Sequence, residues 1–526
     1  MKRQAPHSEK QPAAAAPDDK WLKASLAILL LFFLCRVSGW ACGEFWYDET
    51  LSLTHFVLGR TSPWSIFRTY PIANNHILSN ALEWIWLALG GGGPGFTETL
   101  VRIPALAASL ATLLLIALGW RRFLGARGAL LAAALMAASP LFGGFAWQMR
   151  GYALAIALST ALVGLGASRL RQPTRRNALG CFATALLLPL TMPSAAMLPF
   201  AVLLAMAVCT LRQKTSSDRR GIGRAIRLVG PGALGVLLGC GYYGTLWQSF
   251  VYASHEAGGW PSFWMTLGGI LLPFLLHVLM ALLLCLLPLQ GTDADAACEA
   301  LAAPAEDYAV ALAGACAAAV MAILLLRMPE GRFPFPRVFL PLLPAVTFSA
   351  TTLLVRLKNA ALTSQRTFLT ALTAIILFGT AAGMAGDWWN VRSLRRGATR
   401  QNLLAQYYRG MDDNQRLAAR LTESHRKAGR PFLLIVPSMD APTAQFYLAL
   451  YGGDSKTWGI AVAPERLQDA LVQEAVQHRA QILVSARNAD EARTLADAYG
   501  TLTGGSGHLE PLFTTDFRQV WNVVGE

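Results

Sequence analysis

The run Trp46-Tyr47-Asp48-Glu49 sets two adjacent carboxylates beside aromatic rings, just after an apolar stretch long enough to cross a bilayer. Partial burial at such a place disfavours the ionised form of a carboxylate and suits one of the pair to general-base work on a hydroxyl. The plain alternative is a solvated acidic pair at the end of a span. What lies at the ends of the other apolar stretches bears on the choice. Pro71-Ile72-Ala73-Asn74-Asn75-His76-Ile77-Leu78 follows in the same inter-span segment, and Leu100-Val101-Arg102-Ile103-Pro104 opens the next apolar stretch. Gln148-Met149-Arg150-Gly151-Tyr152 and Phe335-Pro336-Arg337-Val338 sit at two later ends. Taken singly, each arginine reads first as an interfacial anchor. Taken together, they put polar and cationic groups on the same expected face as Asp48.

A membrane-embedded frame is needed to bring these ends together, and the composition supplies one. Of 526 residues, 54% are hydrophobic and only 14% charged, against about 25% charged in ordinary soluble chains. This excludes a disordered chain, a coiled coil and a small disulfide scaffold. The net charge of +14 comes from 45 Lys+Arg against 31 Asp+Glu. The surplus sits in clusters between apolar stretches (Arg121, Arg122 and Arg127; Arg169 to Arg176; Arg212 to Arg227; Arg356 to Arg366), which is topology charge rather than a nucleic-acid surface. The eight cysteines are scattered, without CxxC or metal-ligand spacing, and read as small packing residues.

Eleven spans can be drawn, at 22–41, 100–119, 128–148, 152–169, 177–192, 193–211, 227–248, 265–288, 308–327, 337–355 and 367–386. Only Pro193 separates the fifth from the sixth. A cytoplasmic N-terminus puts all four basic clusters inside and the candidate residues outside. Residues 1–20 read as a disordered cytoplasmic tail, and 21–386 as the membrane domain. The first outer loop, 43–99, carries apolar and aromatic residues expected to form interfacial amphipathic helices. Its Gly90-Gly91-Gly92-Gly93-Pro94-Gly95 run lacks the strand and the Lys-Ser/Thr of a phosphate loop and reads as a turn. The loop 289–307 is acidic yet assigned inside. Residues 387–526 carry 16 Lys+Arg and 15 Asp+Glu and form a soluble outer part. Helices are expected over Leu403–Arg426, Ala441–Tyr451, Pro464–Gln477 and Ala489–Tyr499. Strands are expected at Phe432–Val436, Ile482–Ser485 and Arg518–Val524, which together make a small α/β domain. Arg36 lies inside the first span near its outer end, where it either snorkels to the headgroups or faces the interior; snorkelling is the favoured expectation. Trp388-Trp389 reads as an interfacial anchor.

The pattern Trp-x-Asp-Glu, Pro-x-x-Asn-His-x-Leu, Leu-x-Arg-x-Pro and Arg-Gly-Tyr resembles the GT-C superfamily of integral membrane glycosyltransferases, over residues 22–350. It is most similar to family 39, which contains protein O-mannosyltransferases and bacterial lipid A aminoarabinose transferases. The resemblance implies an inverting hexosyl- or pentosyltransferase in a bacterial inner membrane. A sugar would pass from a polyprenyl-phosphate donor to a lipid, glycan or protein acceptor at the periplasmic face. It implies Asp48 as the base on the acceptor hydroxyl, with Glu49 in support. Arg102, Arg150 and Arg337 would meet the donor phosphate, and Tyr47, Asn74, Asn75, His76 and Tyr152 would line the pocket. One departure stands out: many relatives carry Tyr-Thr-His near the fifth span, where this chain has Leu190-Thr191-Met192-Pro193.

Asp48, Glu49 and His76 also offer oxygen and nitrogen ligands to a divalent cation, although nothing in their spacing fixes a metal site. The rival from another class is a polyprenyl-lipid or glycolipid flippase. It would call for charges at mid-membrane and repeated halves. Here the spans carry almost no mid-depth charge, no internal repeat is visible, and the polar groups collect on one face.

Overall fold

The structure, a computed structural model, describes residues 19–525 apart from 59, 71, 73–74, 92–96, 213–217, 257–258, 287–298, 363–364, 396–412, 430, 439, 453–458, 504–506 and 516–517. The N-terminal tail, Asn74, most of the glycine run and the first half of the acidic loop lie outside these residues.

Each of the eleven expected spans falls on helix. Among the described residues, seven helical stretches are long and apolar enough to cross a membrane by themselves: Lys20–Ala41, Gly151–Arg171, Pro193–Arg212, Gly221–Ala253, Ala305–Glu330, Pro336–Leu357 and Arg366–Gly386. The chain is a polytopic helical membrane protein. Of the other four, 265–288 falls on one continuous helix, Phe263–Leu286, and the rest are shorter or broken, with local causes for the breaks. The expected single span 128–148 is two helices, Arg121–Ala138 and Pro140–Phe145. Ser139 is extended between them and its Oγ accepts from Phe142 N, while Pro140 has no N–H to continue the first helix. Pro193 separates the fifth and sixth spans as expected: one helix ends at Thr191, a 3₁₀ turn covers Pro193–Ala196, and the next helix runs Met197–Arg212.

The segment 43–99 does contain short helices. Ile77–Trp86 buries Ile77, Asn80, Ala81 and Glu83 and exposes Leu82 and Ile85, which gives it one face on the protein and one apolar face outward. Two later inter-helix segments are tied by a two-way bridge: Trp260 N donates to Phe333 O (2.8 Å) and Phe333 N to Trp260 O (2.9 Å). The bridge steadies the approach to the 3₁₀ helix Pro336–Leu342.

The C-terminal part is a five-stranded sheet of order β2-β1-β3-β5-β4, with β1 at Phe432–Ile435, β2 at Gly459–Val462, β3 at Gln481–Ala486, β4 at Gly507–Thr514 and β5 at Gln519–Gly525. β1, β2 and β3 are parallel, β5 runs antiparallel to β3, and β4 pairs with β5. Two of these strands, β2 and β4, go beyond the sequence expectation. The expected helix Pro464–Gln477 is a 3₁₀ turn, Pro464–Arg466, followed by a helix at Asp469–Gln477. Only Asn414–Ala428 of the expected helix 403–426 region is described, and it is helical. The sheet domain does not hang free of the membrane part: Phe45, Leu53, Val57, Val101 and Met149 share one core with Leu417, Phe432, Tyr447 and Leu483.

Candidate active site

Asp48 and Glu49 lie in the first turn of a six-residue helix, Tyr47–Ser52, which continues into a wider-wound turn, Leu53–Leu58. Trp46 is extended and starts the helix, and Glu49 at the third position accepts from Trp46 N (3.3 Å). The two carboxylates, adjacent in sequence, have different surroundings. Glu49 is fully buried. Its Oε1 accepts from Arg102 Nε (3.0 Å) and Met149 N (2.7 Å), and its Oε2 from Arg102 Nη2 (2.7 Å). Arg102 is fully buried as well. Its Nη1 donates to Trp40 O, Ala41 O and Gly43 O, its Nη2 also to Glu44 O, and its guanidinium lies over the rings of Phe45 (5.0 Å) and Trp147 (4.6 Å). A guanidinium has five N–H donors, and this network engages all three of its nitrogens. The expectation that Arg102 joins Arg150 and Arg337 at a phosphate therefore does not fit the geometry. Arg102 instead ties Glu49 to the end of the first span.

Asp48 faces the other way. Its Oδ2 lies 3.1 Å from Arg150 Nη1 and 3.0 Å from Arg337 Nη2. Asp48 is 4% exposed, and the Arg337 side chain, at 14%, is the most open of the three. Arg150 is extended just before the helix Gly151–Arg171. Arg337 sits in the 3₁₀ helix whose prolines, Pro336 and Pro341, lack the N–H groups that a regular α-helix would use. The Arg337 guanidinium lies over Trp46 (5.3 Å) and Phe335 (5.0 Å), which places a flat aromatic bed under the cation. The indole N–H of Trp46 is buried and finds no partner among the described residues.

His76 completes this group. Its Nε2 is 2.7 Å from Arg150 Nη2. Its ring meets Tyr152 edge-on at 5.4 Å, and the Arg150 guanidinium lies 5.5 Å from the centre of the Tyr152 ring. Burial, followed by the charges of Arg150 and Arg337, holds the imidazole well below its ordinary value of 6.5, so the ring is neutral. A guanidinium has no acceptor, so Nε2 must accept and the ring proton sits on Nδ1. Nδ1 has no partner among the described residues. It packs where a side chain on Gly151 would go, since a Cβ there would come 2.4 Å from Nδ1 and 3.0 Å from Thr191 O. The glycine of Arg150-Gly151-Tyr152 is thus required by the close approach of His76. Thr191, from the Leu190-Thr191-Met192-Pro193 stretch, borders the same position of Gly151.

The other expected pocket residues divide. Tyr47 is half-buried at the start of the site helix. Asn75 is buried and spent on its own loop: its Nδ2 donates to Thr69 O (2.9 Å), and its Oδ1 accepts from Asn80 Nδ2 (3.0 Å). The fit to a divalent cation is poor. Among the described residues no three His, Cys, Asp or Glu side chains converge on one point, and both carboxylates and His76 Nε2 are directed at arginines.

Two features went unread in the sequence. Glu83, on Ile77–Trp86, is 3% exposed with Oε1 unpartnered among the described residues. Burial and then the charge of Glu49 push its carboxyl well above the usual carboxylate range, which keeps it protonated. The second is the packing of the expected helix, Ala441–Gly452, against the site helix. Tyr447 Oη accepts from Phe45 N (2.7 Å) and donates to Glu98 Oε1 (3.0 Å). Thr443 Oγ1 meets Thr50 Oγ1 at 3.4 Å, and Glu44 Oε2 accepts from Gln415 N (2.8 Å). The soluble domain therefore grips both ends of the segment that carries Asp48.

A polytopic helical bundle followed by a small α/β domain is a fold already known among solved structures. The chain shares the fold of ArnT from Cupriavidus metallidurans, the match extending over 96% of this chain and 98% of that one at 13% identity and a TM-score of 0.54 with its apo form. The same protein bound to undecaprenyl phosphate matches over 97% of this chain and 98% of that one, at 14% identity and a TM-score of 0.51. The sequence itself matches no family model and no curated protein.

Proposed function

We propose that the protein is an inverting glycosyltransferase that moves a sugar from a polyprenyl-phosphate donor to an acceptor hydroxyl at the periplasmic face of a bacterial inner membrane. The observation that carries this reading is the position of Asp48 Oδ2 between the guanidiniums of Arg150 and Arg337. The likeness in fold to a protein solved with undecaprenyl phosphate supports the donor class.

In this mechanism the donor phosphate enters beside Arg337, the more open of the two cations, and shares the guanidinium hydrogen bonds that Asp48 holds in its absence. Asp48 is then free to take the proton of the acceptor hydroxyl. That oxygen bonds to the anomeric carbon from the face opposite the phosphate, and the carbon–oxygen bond to the phosphate breaks with its electron pair leaving on the lipid phosphate. Charge grows on the phosphate as the bond breaks, so the arginines stabilise the transition state more than the bound donor. A positioned base typically gives about 10²–10⁴-fold in rate. Glu49 and Arg102 are assigned to holding the helix, and His76 to holding Arg150.

The deciding experiment measures sugar transfer by purified protein supplied with a polyprenyl-phosphate sugar and membrane extract as acceptor source. Asp48→Asn is expected to lower turnover by at least about 100-fold while thermal stability stays near that of the parent. Full turnover in this variant would remove Asp48 from the chemistry.

A further inference from the structure

Tyr242 and Tyr243 take no part in the chemistry proposed for Asp48, yet each hydroxyl is committed to a main-chain carbonyl far away in sequence. They open the 3₁₀ turn Tyr242–Leu246, which follows the helix Asp218–Gly241. Tyr243 Oη donates to Pro189 O (2.8 Å), and Tyr242 Oη donates to Phe67 O. Pro189 lies in the last turn of the helix Arg175–Thr191, where carbonyls lack partners within the helix. The residue four places on, Pro193, has no N–H to offer. Tyr243 supplies the missing donor. The two helices are pressed together near this point, since a Cβ on Gly239 would come 2.6 Å from Leu186 O. That close approach fixes how far Tyr243 stands from the end of the other helix.

The rings hold a second piece of chain. Tyr243 meets Tyr70 edge-on at 5.8 Å, and both pack against Phe250 (5.0 and 5.3 Å). Ile66, Tyr70, Ile77, Ala81 and Tyr243 share one buried cluster. Thr69 O, beside Tyr70, accepts from Asn75 Nδ2, and Asn75 directly precedes His76. The tyrosine pair therefore grips the stretch that leads to His76 and also the end of the helix Arg175–Thr191. These two pieces meet at Gly151. The place that a Gly151 Cβ would take is bounded by His76 Nδ1 and by Thr191 O, at 2.4 and 3.0 Å, and Thr191 is only two residues beyond Pro189.

We propose that Tyr243 is a positioning residue for the site. By holding the Pro189 carbonyl and the Tyr70 ring together, it sets the slot at Gly151 that seats His76 and, through His76, the plane of the Arg150 guanidinium beside Asp48. Tyr242 assists from the other side by holding Phe67 O. The effect on turnover rests on the transferase reading, whereas the seating of His76 does not. A hydroxyl that served only its own turn would leave His76 just as closed when it is removed.

The seating is read by carbethoxylation of histidines with diethyl pyrocarbonate on the full chain in detergent, followed by mass spectrometry. His76 is 4% exposed, and the exposed His55 serves as the internal reference. In the parent, His76 should react far more slowly than His55. Tyr243→Phe keeps the ring and removes the donor, and it should raise the His76 rate by about tenfold, the worth of one lost hydrogen bond, with His55 unchanged. Tyr243→Leu also removes the ring from Tyr70 and should raise the rate further. Cys316, buried in the helix Glu299–Leu326, should stay unreactive toward a maleimide in both variants. Turnover with a polyprenyl-phosphate sugar should fall by up to about tenfold in Tyr243→Phe. The same substitution should change little in a His76→Leu background, where the acceptor for Arg150 is already gone and the two losses do not add. An unchanged His76 rate in both variants, exposure of Cys316 along with His76, or a turnover loss that simply adds to that of His76→Leu would each overturn the positioning role. A parent protein that transfers no sugar would count against the proposed function, and the histidine rates would still decide the seating.

Discussion

Nη2 of Arg150 lies 2.7 Å from Nε2 of His76, while Nη1 of the same guanidinium lies 3.1 Å from Asp48 Oδ2. One side chain thus joins a neutral imidazole to the carboxylate that the proposed mechanism uses. Because the arginine can only donate, the histidine serves as an acceptor that fixes the guanidinium's plane, and its own proton is turned away from Asp48.

This arrangement makes His76→Gln and His76→Leu diverge. Gln can place an amide oxygen near the position of Nε2 and keep the acceptor, whereas Leu leaves a buried N–H of Arg150 without it. His76→Gln should retain activity within about tenfold, and His76→Leu should lose about 10- to 100-fold, the loss expected when a hydrogen bond to a charged group is removed. Steady-state kinetics with the lipid-linked donor checks both. Equal loss in the two variants would exclude the acceptor role. Gly151→Ala should resemble His76→Leu, because its Cβ would occupy the space of Nδ1.

The same histidine sets a pH dependence of stability. Its folded value is held well below 6.5 by burial, Arg150 and Arg337, with Asp48 and Tyr152 the other ionisable side chains grouped around Arg150. Above pH 6.5 the folded and unfolded chains both carry a neutral ring. As pH falls through 6.5 the unfolded chain takes a proton that the folded chain refuses, so stability drops with falling pH, at up to about 1.4 kcal/mol per pH unit. Thermal melts in detergent from pH 7.5 to pH 5 should show this slope in the parent protein and a shallower one in His76→Gln. Parallel slopes would mean that His76 is protonated in the fold.

Arg337 and Arg102 should respond differently to the same change. Arg337 is the more open cation, and Arg337→Ala is expected to raise the KM for the lipid-linked donor by about 10- to 100-fold with little change in melting temperature. Arg102→Ala leaves Glu49 buried and uncompensated, which costs about 3–5 kcal/mol, so it should lower the melting temperature sharply. The paired change Glu49→Gln with Arg102→Met should recover much of that loss, since no charge then remains buried. A donor KM effect in Arg102→Ala without a fall in stability would return Arg102 to the phosphate.

Much of this site is legible in the sequence, because membrane spans confine polar groups to their ends and to the loops between them: Asp48, Arg150 and Arg337 stand at or beside such ends, and His76 in the loop 43–99. The pairing is not legible. Asp48 and Glu49 are one residue apart on a helix and therefore point in different directions, so which arginine takes which carboxylate depends on how the spans pack. Arg36 turns inward, its Nη1 donating to Ala137 O (2.6 Å) rather than snorkelling. Its direction was hidden for a related reason: the first span is apolar all round, and its pattern does not distinguish a lipid face from a protein face. In the soluble domain β2 is only four residues long, and β4 contains Pro511, which argues against a strand in sequence. The sheet order puts β4 at an edge, with a register shift between Pro511 and Phe513, where a missing N–H is tolerated. Glu83 was unreadable because the spacing within its own helix does not show that it lies near Glu49.

The grip of the soluble domain on the site helix gives the last prediction. Tyr447 Oη accepts the Phe45 N–H, three residues before Asp48, and its ring stacks on Phe45 at 6.5 Å. Burial and then the charge of Glu98 push the phenol above its usual range, so it remains protonated and donates to Glu98 across the working pH. Tyr447→Phe keeps the ring and removes only the hydroxyl. It leaves the Phe45 N–H buried without its acceptor, at a cost of about 1–3 kcal/mol. That cost falls on the 44–52 segment rather than on the sheet, because the core of β1 and β3 does not involve the hydroxyl. Hydrogen exchange should therefore quicken in 44–52 and stay unchanged in Phe432–Ile435, and turnover should fall while the melting temperature of the sheet domain holds. Unchanged exchange in 44–52 with normal turnover would show that the domain covers the site helix without positioning it.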